Sequence, residues 1–140
     1  MADCDEDEVR KGDDGASCCD GNGGKNLLLY ACSGGANVAE IADRIARELM
    51  FEGRGAMFCL AGLGAGIDGM IQTAGDADLN VVIDGCDMDC ARKIFDNCGL
   101  ENYIQVKVTD YGIEKVKGAR ATDDQIAVVM AAVRGTIAKA

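Results

Sequence analysis

Leu27-Leu28-Leu29-Tyr30-Ala31 is an unbroken apolar run, and a segment with helical apolar spacing follows it at once. A strand with one wet face alternates; a strand that is apolar at every position must be covered on both sides. The helical segment has a capping-box-like start at Asn37 with Glu40 three residues on. Val38, Ile41, Ala42, Ile45, Ala46 and Leu49 then form one apolar stripe. Asp43 with Arg47, and Arg44 with Glu48, pair at i,i+4 on the opposite side.

The same alternation continues down the chain. Gly53 and Gly55 break the helix, and Ala56 to Leu60 reads as a second short strand. A glycine-rich loop through Gly66 leads to a weak helix from about Asp68 to Ala74. Leu79-Asn80-Val81-Val82-Ile83 is the third strand, followed by a helix from about Asp87 to Asn97 with Gly99 placed to end it. Tyr103 to Val108 is a fourth strand of alternating character. Thr122 and Gln125 form a capping box ahead of a last helix with the stripe Ile126, Val129, Met130, Val133 and Ile137. Strands separated by helices with short connections predict a doubly wound, flavodoxin- or Rossmann-like α/β domain. Its sheet is parallel, has about four strands, and carries helices on both faces.

The 140 residues suit a single domain, and with only 4% aromatic residues the core must be aliphatic. A net charge of −10 argues against nucleic acid, whose binding needs a basic face, and against anionic membrane. No apolar run approaches the roughly 20 residues that span a bilayer, and the acidic start is the opposite of a targeting peptide. The expectation is a cytoplasmic protein with no nucleic-acid or membrane partner; nothing points to a particular protein partner. Residues 1–25 are a separate acidic block with Cys4, Cys18 and Cys19 and few apolar residues. Such a block cannot offset its own ordering entropy and is expected to be a disordered tail, leaving residues 26–140 as the domain.

The chain has eight cysteines and no histidine, so a soft-metal site here must be built from thiolates. In a parallel sheet all the strand-to-helix loops leave one edge, where ligands collect. Cys32 follows the first strand, Cys59 closes the second and Cys86 follows the third. Adjacent strands lie only about 5 Å apart. Cys90, one helical turn beyond Cys86, falls in the first turn of the third helix, where exposed amides favour an anion. Four sulfurs around one point could hold zinc tetrahedrally with Zn–S near ~2.3 Å. Cys98 is excluded, because eight residues further along that helix is about 12 Å away; its spacing with Ala91, Ile94 and Phe95 makes it a packing residue.

Three other readings compete. The same thiols could carry out disulfide exchange or sulfur transfer, or hold an iron–sulfur cluster, although the ligands are spread over separate loops. Gly64-Ala65-Gly66-Ile67-Asp68-Gly69 matches G-x-G-x-x-G, with Asp84 at the distance of a ribose-binding acid, which allows nucleotide binding. Asp84, Asp87, Asp89 and Asp110 ring the same edge; Asp87 or Asp89 is expected to cap the third helix and Asp110 to end a strand. No catalytic base is visible, so metal binding is favoured over catalysis.

Tyr30 to Gly35, Phe58 to Gly62, Asp84 to Lys93 around Asp84-Gly85-Cys86, and Val108 to Lys115 together resemble the DGC domain proteins, a zinc-binding family named for that tripeptide. The likeness covers most of the folded region and leaves out the acidic tail. It departs at Asp87, where the family often has proline; both residues suit a helix start. The resemblance implies Cys32, Cys59, Cys86 and Cys90 as the chelating set. It implies no reaction.

Overall fold

The computed structural model describes residues 25–140. The expected tail, with Cys4, Cys18 and Cys19, therefore lies outside the described residues except for Lys25. Four strands, β1 (Leu27–Ala31), β2 (Ala56–Met57), β3 (Leu79–Asp84) and β4 (Tyr103–Lys107), form one sheet. Five α-helices connect or flank them: α1 (Asn37–Phe51), α2 (Leu60–Gly64), α3 (Asp68–Asp76), α4 (Cys90–Asn97) and α5 (Asp123–Lys139). All strand pairs are parallel and the order is β2-β1-β3-β4. The α/β architecture is the expected one.

The apolar runs behave as two-sided strands do. Leu29, Val81 and Ile83 feed one core beneath α1 and α5, whereas Leu28, Tyr30 and Val82 feed another beneath α2, α3 and α4. The first core is aliphatic throughout. Fully burying each such side chain contributes about 1.5–3 kcal/mol. Four of the six aromatic residues, Tyr30, Phe58, Phe95 and Tyr103, gather at the second, where the Tyr30 and Phe95 rings meet edge-on at 4.8 Å. Thr122 and Gln125 make the reciprocal capping box that opens α5, and Gly99 takes the left-handed φ of +70° just past α4.

Several local expectations are corrected. β2 stops at Met57, and the chain turns at Cys59 into the short helix α2, which the pattern did not reveal. Gly55 lies so close to β1 that a Cβ would sit 2.7 Å from the Leu27 carbonyl oxygen. Asn37 and Glu40 make no capping box; the N-cap of α1 is Ala36, without a side-chain bond. Asn37 is buried and is bonded elsewhere, as described below. α4 begins at Cys90 rather than Asp87, because Cys86 to Asp89 close a turn with the Asp89 N–H donating to the Cys86 carbonyl at 3.1 Å. Asp89 adopts a φ of +52° there, a conformation Asp tolerates better than most residues.

This strand order fixes where a ligand can sit. From β1 the chain moves one way to β2, then crosses to β3 and continues the other way to β4. The crevice at the carboxyl ends of β1 and β3 is thus the topological switch point, the usual ligand position in an open α/β sheet.

Candidate thiol site at the switch point

A cavity of about 430 Å³ opens at that crevice. Its walls come from the loop after β1 (Cys32 to Ala36), the turn after β3 (Asp84 to Cys90), the first turn of α1, and Lys115, Lys117 and Gly118. Cys32, Cys86 and Cys90 all line it. Cys59 does not; it is exposed, in the N-cap position of α2. Cys98 is apart from the cavity, packed against the second core with its thiol 3.5 Å from the Leu63 carbonyl oxygen. It is the packing residue its spacing suggested.

Each residue of the Asp84-Gly85-Cys86 turn makes a contact that holds it. Asp84 is almost wholly buried, and its carboxylate accepts the backbone N–H groups of Ala91 (2.8 Å) and Arg92 (3.1 Å) and the amide of Gln105 (2.9 Å). The strand-end acid therefore satisfies the open amides of α4, a task the sequence reading gave to Asp87 or Asp89. Asp87 instead meets Lys107 at 3.3 Å. Asp89 is bonded to Lys107 (3.0 Å), to Gln105 (2.8 Å) and to Arg92 (3.4 Å). The Lys107 hydrogen bond, helped by Gln105, holds its carboxyl below the usual range. Asp110 lies in a 3-10 turn after β4, exposed and outside the cavity lining.

Gly85 is needed for close approach. A Cβ there would stand 3.0 Å from the Val38 carbonyl carbon and 3.1 Å from its oxygen, both backbone atoms of the first turn of α1. The same residue donates its N–H to the Cys32 sulfur at 3.1 Å. Burial pushes the Cys32 thiol up to about 11; the Gly85 bond opposes this, and the charges of Asp84, Cys90 and Cys86 add to it. On the other side of the cavity, the Lys115 ammonium stands 3.3 Å from the Cys86 sulfur.

Lys115 is placed by a staple that the sequence reading missed. The Asn37 side-chain amide donates to the Glu114 carbonyl (2.9 Å), and its oxygen accepts the Val116 N–H (2.8 Å). The Gly118 N–H adds a bond to the Gly35 carbonyl at 2.8 Å. Lysine 115 thus sits between two backbone groups pinned to the start of α1. The available signal was Lys115-Val116-Lys117, a small basic cluster in a strongly acidic chain.

The family model for the DGC domain matches residues 28–133, from β1 into α5, and takes in all four edge cysteines. The chain belongs to the DGC domain family. A curated relative from Pseudomonas aeruginosa PAO1, the anaerobic and virulence modulator AnvM, is 28% identical over 91 residues, which is 65% of this chain and 70% of AnvM. No solved structure matches the chain.

In this DGC domain the donor chemistry suits a soft metal, since Cys32 from the loop after β1 and Cys86 and Cys90 from the segment after β3 line one cavity. They do not form a finished shell. Among the described residues, no group of three or more Cys, Asp or Glu side chains is arranged to hold an ion. The Cys32 and Cys86 sulfurs are engaged by Gly85 and Lys115 instead. Near Cys59 there is one unfilled polar demand. The Tyr30 hydroxyl is buried without a hydrogen-bond partner among the described residues; burial raises its pKa, and the Cys59 charge adds to that.

The glycine motif Gly64 to Gly69 falls between α2 and α3, with Gly66 turning at φ +73°. The dinucleotide fingerprint requires a strand directly before it, and none of these glycines lines the cavity. Asp84, the candidate ribose acid, is already committed to α4. The geometry therefore lacks the context that a nucleotide would need.

Proposed function

We propose that this DGC domain binds zinc through the thiolates of Cys32, Cys86 and Cys90, with Cys59 as fourth ligand, in a structural or metal-carrier role. The observation that carries this reading is the convergence of Cys32, Cys86 and Cys90 on one cavity at the switch point. Zinc, when bound, would supply a positive centre that ties the loops after β1, β2 and β3 together. The protein's part is to bring the thiols from separate strands and to give up their protons. Loading must also displace the Gly85 and Lys115 contacts from the sulfurs. That a relative is named a modulator suits a role other than catalysis.

Metal and sulfide content of anaerobically purified protein tests the reading. One zinc per chain and no sulfide is expected; sulfide with iron would replace zinc by a cluster. Cys86→Ser should abolish zinc binding while Cys98→Ser leaves it intact, and equal loss from both would overturn the site.

A second reading rests on the Lys115 ammonium beside the Cys86 sulfur. A Cys86 thiolate attacking a disulfide would form a mixed disulfide and release the other half as a thiolate. Metal-free protein whose Cys86 is selectively oxidised or thiolated would favour that chemistry over zinc.

A further inference from the structure

The cavity combines two features that zinc does not explain: an apolar wall and two lysines that have no carboxylate partner among the described residues. Val38, Ala39 and Met88 line it together with the thiols. Its volume of about 430 Å³ lies in the range of small-molecule sites, about 300–1,000 Å³.

The charge pattern is the stronger point. In a chain with 24 acidic and 14 basic residues, an incoming anion is repelled overall. Yet both acids in the cavity wall are already engaged, Asp84 by the α4 amides and Gln105, and Asp89 by Lys107, Gln105 and Arg92. Among the described residues, neither Lys115 nor Lys117 pairs with a carboxylate. Their backbone is held in place: Asn37 brackets Lys115, and Lys117 bridges to Ala36 in the loop after β1. Two lysines on fastened backbone thus line an apolar, thiol-bearing cavity, the Lys115 ammonium beside the Cys86 sulfur.

We propose that this cavity binds a small organic carboxylate. The charged head lies between Lys115 and Lys117, and an apolar or thiol-bearing body rests against Val38, Ala39 and Met88. The thiol-bearing case would bring a further sulfur toward Cys32, Cys86 and Cys90. This inference goes beyond the metal reading and does not need a bound ion.

The test is a ¹H–¹⁵N NMR titration of the reduced, metal-free full chain with 3-mercaptopropionate, with the cation 2-mercaptoethylamine as control. Saturable shifts are expected at the backbone amides of Ser33 to Ala36, Gly85 and Lys115 to Gly118, and none with the cation. Lys115→Gln with Lys117→Gln should weaken binding about thirtyfold, since each of the two exposed charge pairs contributes about 1 kcal/mol. The corresponding double arginine variant should keep most of it. Shifts that fail to saturate, that fall elsewhere, or that are unchanged in the glutamine variant would overturn the proposal. Since no metal is present, the result is independent of the zinc stoichiometry, and either reading can fail alone.

Discussion

The loops after β3 and β2 both follow a short strand, both carry cysteine, and both lead into a helix, yet they are built differently. After β3, Asp84 is buried and bonded to α4, Gly85 presses on the backbone of α1, and Cys86 faces a lysine held by Asn37. After β2, Cys59 is exposed, and the helix it opens runs only from Leu60 to Gly64. The difference comes from position in the sheet. β3 is an inner strand beside the switch point, so its loop must fit against α1, α4 and the segment around Lys115. β2 is a strand of two residues with no neighbour on its outer side among the described residues. A sulfur at the inner site is prearranged, and one at the edge has to be brought in.

Substitutions can break this contrast. Asp84→Ala should have the largest effect, about 3 kcal/mol of stability in urea unfolding, because it leaves the Ala91 and Arg92 amides without their acceptor. A loss below about 1 kcal/mol would mean that water replaces the carboxylate and that the β3 turn is less rigid than described. Next comes proton loss at Cys32. With burial raising this thiol to about 11, its alkylation rate, followed by peptide mass spectrometry, should climb roughly a hundredfold between pH 8 and pH 10, about tenfold per unit. The linked stability has a definite sign. The folded state holds this proton more tightly than the unfolded chain, whose thiols ionise near ~8.5. The contribution is therefore complete below that pH and is lost as pH rises toward 11.

Gly85→Ala should cost about 2 kcal/mol, as expected when a methyl group is forced against backbone that cannot move aside. Gly66→Ala, beyond the β2 loop, meets no atom within 4 Å but must hold a φ of +73°. It should cost only about 1 kcal/mol, the ordinary strain of a left-handed alanine. Parallel urea titrations would sharpen the comparison, and equal losses would remove it.

Much of this protein was legible before any coordinates. The continuous apolar run of β1 and the Val81-Val82-Ile83 run of β3 gave both strands to within a residue, because a strand buried on both faces has few polar positions to spare. The stripes of α1 and α5 appeared for a similar reason, as did the separation of Cys98 from the other edge cysteines, which follows from helical rise alone. The short α2 was not legible, since five residues are too few to show a period. Nor was the fate of Asn37 and Asp84. Asn37 looks like a helix cap in sequence but is taken by the Glu114–Val116 segment 77 and 79 residues away, and Asp84, which sequence offers as a ribose-binding acid, accepts the amides of a helix that starts six residues later.

Sequence by itself therefore determined the layered α/β class and the edge to which Cys32, Cys59, Cys86 and Cys90 belong, because burial and periodicity are local properties. Only the tertiary structure decided that Cys32, Cys86 and Cys90 share a cavity while Cys59 stands outside it. It also brought Lys115 and Lys117 into the wall of that cavity. Those outcomes depend on strand order and on contacts between distant segments, which no local pattern encodes.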